Sequence, residues 1–79
     1  MNNIERYNKT FTSTFKVDES NLNSDFKVDS IAEWDSVTQL SLVTEIEDEF
    51  DIMLDSEDIL EFTSYEHGKK ILSKYDISI

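Results

Sequence analysis

Residues 35 to 50 read Asp35-Ser-Val-Thr-Gln-Leu-Ser-Leu-Val-Thr-Glu-Ile-Glu-Asp-Glu-Phe50. At 100° per residue, Leu40, Leu42, Val43, Ile46 and Phe50 fall on one broad side, with Val43, Ile46 and Phe50 at its centre, while Thr38, Ser41, Glu45 and Asp48 face away. The stretch is an amphipathic helix. Ser36 followed three residues later by Gln39 has the spacing of a capping box, in which a hydroxyl accepts a free backbone N–H and an amide reaches back. Val37 lies off the apolar stripe, beside Ser41 and Asp48 on the polar face. On physical grounds alone, a serine at such a boundary is a helix cap and a lone surface Val needs no explanation.

Working outward, residues 3 to 16 place Ile4, Tyr7, Phe11 and Phe15 on one helical stripe, with Glu5, Arg6, Asn8 and Lys9 on the other side. Residues 17 to 35 show no sustained period, but Leu22, Phe26, Val28, Ile31 and Trp34 recur through them and can pin a long loop across the helices. Ser30 and Glu33 are spaced to cap a short turn there. After Phe50, Ile52, Met53 and Leu54 can pack as the chain crosses the molecule, and Asp55 or Ser56 starts a short helix with Ile59, Leu60 and Phe62 as its apolar surface. Thr63 to Glu66 repeats the capping-box spacing and opens a last helix, with Tyr65, Ile71 and Leu72 inward and Lys69, Lys70 and Lys74 near its C-terminal end. Gly68 lies inside that helix, where it costs about 1 kcal/mol relative to Ala and implies close approach of a neighbouring helix. The pattern predicts an all-α fold, a small four-helix bundle. Its three longer helices cover about 3 to 16, 36 to 50 and 64 to 75, a short one lies near 56 to 61, and a long loop joins the first two.

Composition narrows the function classes. The chain of 79 residues carries 18 acids against 7 Lys and Arg, a formal charge of −11. Residues 45 to 66 contain ten of the acids and no Lys or Arg. Such a surface repels nucleic acid and anionic membranes and favours basic protein partners. There is no cysteine, so disulfides and thiolate metal sites are excluded and any thiol chemistry must come from an added group. No apolar run approaches the 18 residues of a membrane span, and the opening MNNIERYNK has neither an apolar signal core nor a myristoylation glycine. The expectation is a single domain over 1–79, monomeric and cytoplasmic, with no membrane insertion. Asp55, Glu57 and Glu66 fall at three positions of a calcium loop, but Ile59 and Leu60 stand where a ligand and the obligatory Gly belong. His67 is the only histidine and Gly68 the only glycine, so neither a metal site, a Ser-His-Asp triad nor a phosphate-cradling loop is expected.

Trp34-Asp35-Ser36-Val37, followed by Leu40, Leu42-Val43, Ile46-Glu47 and Glu49-Phe50, resembles the Asp-Ser-Leu segment and second helix of acyl carrier proteins and peptidyl carrier domains. The resemblance extends over nearly the whole chain, with Asp55-Ser56-Glu57-Asp58-Ile59 and Thr63-Ser64-Tyr65 leading the last two helices. Val37 stands where Leu or Met is usual, and Ala32-Glu33-Trp34 stands where many fatty-acid carriers have a Gly two residues ahead of the Asp-Ser pair.

The resemblance implies a protein that is not itself an enzyme. Ser36 would carry a 4′-phosphopantetheine arm derived from coenzyme A, with Asp35 orienting the serine and a Mg²⁺ during modification. It also implies partners, a phosphopantetheinyl transferase and enzymes that load or transfer acyl or aminoacyl groups, which grip this helix through basic surfaces. Val37, Thr38, Ser41, Glu45, Glu47 and Asp48 are the residues placed for that contact. The alternative is an unmodified acidic helical adaptor for a basic protein, which needs the charge but no particular serine.

Overall fold

The computed structural model describes residues 2–79 and is helical, with four α-helices in the order α1 (Asn3–Phe15), α2 (Ser36–Phe50), α3 (Ser56–Glu61) and α4 (Tyr65–Ser73). A single 3₁₀ turn, Glu19–Asn21, interrupts the α1–α2 loop. α1 begins where the Asn2 side chain accepts the Glu5 N–H, and it stops at Lys16, whose left-handed backbone (φ 57°) turns its N–H onto Thr12 O. α2 ends the same way at Asp51, φ 55°. Neither stop uses the glycine usual at such positions.

Aromatic rings fill the core. Phe11 is fully buried, and the rings of Tyr7, Phe15, Phe26, Trp34, Phe62 and Tyr65 lie 5.0 to 6.2 Å from its centroid. Such rings bury about 150–250 Å² each, and favourable pair geometry adds about 0.5–1.5 kcal/mol beyond that burial. The long loop holds its place because Phe26 and Trp34 are part of this cluster. It is also pinned to the α3–α4 junction by two backbone bonds, Val28 N–H to Thr63 O and Tyr65 N–H to Phe26 O, each 2.9 Å. Val28, expected to help pin the loop, is instead exposed at its surface. Backbone pairing on either side of Lys27, through Phe26 O and the Val28 N–H, already fixes that segment without the Val28 side chain.

Two polar links cross the aromatic core. Tyr7 Oη donates to Tyr65 O at 2.6 Å, and Tyr65 Oη donates to Asn8 Oδ1. Burial pushes the Tyr7 phenol far above its usual range, so it stays a donor at every ordinary pH. Asn8, which helical spacing puts on the solvent side, is therefore buried. Its partner Tyr65 lies in the last helix, too far along the chain for periodicity to register the pairing. Gly68 meets the expectation of a close approach, though side chains rather than a helix backbone cause it. A Cβ there would overlap Tyr7 Oη and the edge of the Phe62 ring.

Against this core α2 lays Leu42, Val43 and Ile46. Its far end is tied to α1 by Arg6, whose Nε donates to Glu49 Oε2 at 2.9 Å while the guanidinium sits 4.7 Å from the Phe50 ring centroid. Arg6 also departs from its expected place on the solvent side of α1; it is half-buried because its long stem reaches over that ring. α4 starts one residue later than its sequence pattern suggests. Ser64, not Thr63, is the cap, its Oγ accepting the His67 N–H at 2.9 Å. Met53 and Leu60, expected to pack, are 85% and 79% exposed. In each short run the neighbouring residues, Leu54 for one and Phe62 for the other, take the buried place.

Candidate functional site

Asp35, not Ser36, caps α2. Its backbone is extended (φ −102°, ψ −174°) and its Oδ1 accepts the Thr38 N–H at 2.9 Å. A carboxylate one residue ahead of the serine makes a charge-assisted bond to that free N–H, which a neutral hydroxyl cannot match. The Thr38 N–H, and after it the Thr38 hydroxyl, hold the Asp35 carboxyl below the usual carboxylate range. The aspartate is thus ionised at neutral pH, where it suits the positive end of the α2 dipole.

Gln39 is not the return half of a capping box either. Its Nε2 donates to Ile59 O at 2.8 Å and Phe62 O at 3.0 Å, and its Oε1 accepts from Trp34 Nε1. One amide therefore joins α2, the loop and the end of α3. At 100° per residue Gln39 falls within about 40° of Val43, on the packed side of the helix, which leaves it no path back to the cap.

With the cap supplied by Asp35, Ser36 is the exposed first residue of α2. On one side it borders an open groove of about 220 Å³, lined by Val28, Trp34, Gln39, Leu60 and Phe62. On the other side, Val37 and Leu40 are 72% and 61% exposed and share a shallow depression with Ser41, Thr44 and Glu45. The serine lies between two apolar surfaces. Leu40 departs from its expected place on the core side of α2. The packed face is centred between Leu42, Val43 and Ile46, roughly 110° round the helix from Leu40 at 100° per residue, so Leu40 joins Val37 three residues before it in a second, outward strip.

The acids of α2, the nominated Glu45, Glu47 and Asp48 together with Glu49, divide into two sets. Glu45 and Asp48 are exposed on the same helix as Val37 and Ser41. Glu47 Oε2 accepts the Leu54 N–H at 2.9 Å and closes the turn after α2, and Glu49 is held by Arg6. Hydrogen bonding from Arg6 is the main cause that keeps the Glu49 carboxyl below the usual range. Thr38 is half-buried. The exposed face around the serine is therefore Val37, Leu40, Ser41, Glu45 and Asp48, with Val28 and Leu60 across the groove. Sequence reasoning missed Leu40, Leu60 and Val28. The readable signal for the first was the three-residue spacing of Val37 and Leu40, and for Leu60 the adjacency of two large apolar residues, Ile59 and Leu60, in a helix too short to bury both.

Among the described residues, no group of three or more His, Cys, Asp or Glu side chains is placed to hold a metal ion, and no helix is long and apolar enough to cross a membrane. No family model matches the chain, and no curated protein or solved structure matches it.

Proposed function

We propose that this chain is a carrier protein, its helices arranged as the four-helix bundle of acyl and peptidyl carriers, with a 4′-phosphopantetheine arm joined to Ser36. One observation carries the reading. Ser36 is exposed at the first position of a 15-residue helix, relieved of capping by Asp35, and beside an open groove with apolar walls. The residues present fit the arm: Ser36 for the covalent bond, and Val28 and Leu60 for the apolar stretches of the chain.

In the modification, Ser36 Oγ bonds to the phosphorus next to pantetheine as the bond from that phosphorus to the nucleotide half of coenzyme A breaks. The serine proton passes to a base of the transferase. Asp35 retains lone pairs beyond those used by Thr38, so the same carboxylate can cap α2 and face a Mg²⁺ in the transferase site. Once joined, the arm supplies a terminal thiol that holds an acyl or aminoacyl group as a thioester. Partner enzymes approach α2, where Glu45 and Asp48 steer a basic surface and Val37 with Leu40 gives a desolvated contact next to the serine.

The test is intact mass after incubation with coenzyme A, Mg²⁺ and a broad-specificity phosphopantetheinyl transferase. The native chain gains the mass of one arm. Ser36→Ala gains none and keeps its fold, since Asp35 still caps α2. A native chain left unmodified under conditions that fully convert an authentic carrier overturns the reading.

A further inference from the structure

α3 is six residues long, too short to persist by its own backbone bonds, and its one buried residue is a carboxylate, Asp58. Ile59 is half-buried and Leu60 is largely exposed, so the apolar anchors lie at the two ends, Leu54 before α3 and Phe62 after it, and little apolar burial holds the helix itself down. Side chains from elsewhere hold it instead. At the C-terminal turn, Lys74 Nζ donates to Asp58 Oδ1 at 2.5 Å and Tyr75 Oη donates to Asp58 Oδ2 at 2.6 Å. The same Tyr75 Oη accepts the Asp55 N–H at 3.0 Å at the start of α3. Gln39 holds the other end. An element fixed between its packed ends by a few polar bonds opens locally before the core does.

The position of α3 gives that opening a consequence. Leu60 and Phe62 form one wall of the groove beside Ser36, and Trp34 faces them from the α2 side. We propose that the contact of Asp58 with Lys74 and Tyr75 is a latch through which the C-terminal turn sets the width of this groove. Latched, α3 keeps the groove narrow and Trp34 covered; unlatched, α3 pivots outward about the buried Phe62, moving Leu60, and admits the apolar part of a chain attached to Ser36. The use of the groove rests on the carrier reading, whereas the latch is a property of the unmodified chain and can be tested on it.

Trp34 is the only tryptophan and is 4% exposed, so it reports the state of the wall directly. Acrylamide quenching of Trp34 and amide hydrogen exchange are measured on the unmodified native chain, Asp58→Asn and Tyr75→Phe. Each substitution removes or weakens a charge-assisted bond, and about a tenfold faster exchange at residues 59 to 62 is expected, with stronger Trp34 quenching and unchanged exchange across residues 7 to 15. Tyr75→Phe removes one hydroxyl from a half-buried ring, so it remains informative even where Asp58→Asn does not fold. Unchanged exchange and quenching in Tyr75→Phe overturn the latch, as does a rise that appears equally in α1. Neither result depends on whether Ser36 accepts an arm, so failure of the latch and failure of the carrier reading are separate outcomes.

Discussion

Two helices of this chain open on the same dipeptide. Asp35-Ser36 starts α2 and Asp55-Ser56 starts α3, and at both the aspartate is the extended N-cap and the serine the exposed first residue. Their surroundings differ in every other respect. Asp35 accepts the Thr38 N–H, while Asp55 makes no side-chain cap bond. α2 is anchored on the core by Leu42, Val43 and Ile46 and tied to α1 by Arg6, whereas α3 buries no apolar side chain of its own and is held by the contacts of Asp58 and Gln39 and by Phe62 at its end. Ser36 has apolar surface on both sides; Ser56 is followed by Glu57 and Asp58. The dipeptide alone does not make an attachment point. What distinguishes Ser36 is a fixed platform beneath it and an apolar surface beside it, the two features on which the proposed attachment of an arm rests.

The largest expected contrast is in stability. Trp34→Ala, one residue before the first pair, removes a buried ring and should cost about 3–5 kcal/mol in a denaturant titration. Met53→Ala, two residues before the second pair, should stay within about 0.5 kcal/mol because that side chain is exposed. Equal losses would show that the two helix starts are supported alike.

Gln39→Leu should cost about 1–3 kcal/mol by the same method, since it strands Ile59 O, Phe62 O and the Trp34 N–H with a side chain of similar size. A neutral result would mean that α3 docks without it.

A pH titration separates the two helices by cause. The Asp35 carboxyl is held low chiefly by the Thr38 N–H, the Asp58 carboxyl by Lys74 and then Tyr75. Both pKa values are depressed on folding, so each group contributes stability above its unfolded pKa that is lost as pH falls through the folded value. The charged and titratable groups around the latch are Lys74 and Tyr75 on the C-terminal turn, with Asp55 at the start of α3 and Glu61 at its end. Hydrogen bonding to Asp58 raises the pKa of Lys74 and Tyr75, so the latch also weakens at high pH as those groups lose their protons. Lys74→Met should move the carbon-13 titration midpoint of the Asp58 carboxyl upward and leave that of Asp35 in place. A common displacement would trace both to the net charge of the chain.

Smaller effects belong to association. Glu45→Lys or Asp48→Lys should slow arm transfer by roughly tenfold or less at low salt, with the deficit shrinking as salt rises, because exposed charges act on encounter. Val37→Asp should remain impaired at high salt, and Glu57→Lys beside Ser56 should matter less than either α2 reversal. Transferase kinetics at two ionic strengths check all four variants.

The helices were legible because their stripes are strong: Tyr7, Phe11 and Phe15 fix α1, and Leu42, Val43 and Ile46 fix α2. The caps at Ser36 and Thr63 were each misplaced by one residue because Asp35-Ser36 and Thr63-Ser64 put two competent cap side chains in succession, and only backbone geometry decides between them. Long-range polar pairing left no trace in periodicity. Asn8 with Tyr65, Gln39 with Ile59 and Phe62, and Asp58 with Lys74 and Tyr75 join residues 16 to 57 apart, and each set a burial that helical spacing assigned otherwise or did not address. Ser36 is singled out in the sequence by resemblance alone, since its residue type and position read as a helix cap, and the groove beside it depends on where Val28 and Leu60 end up after folding.

Site mapping is the most direct test of the claim that surroundings, and not the dipeptide, select the serine. The native chain is carried to full modification with coenzyme A and transferase, digested, and the labelled peptide fragmented. A single phosphopantetheine on Ser36 is predicted, with Ser56→Ala modified as fast as the native chain. Label on Ser56, alone or shared with Ser36, contradicts the account.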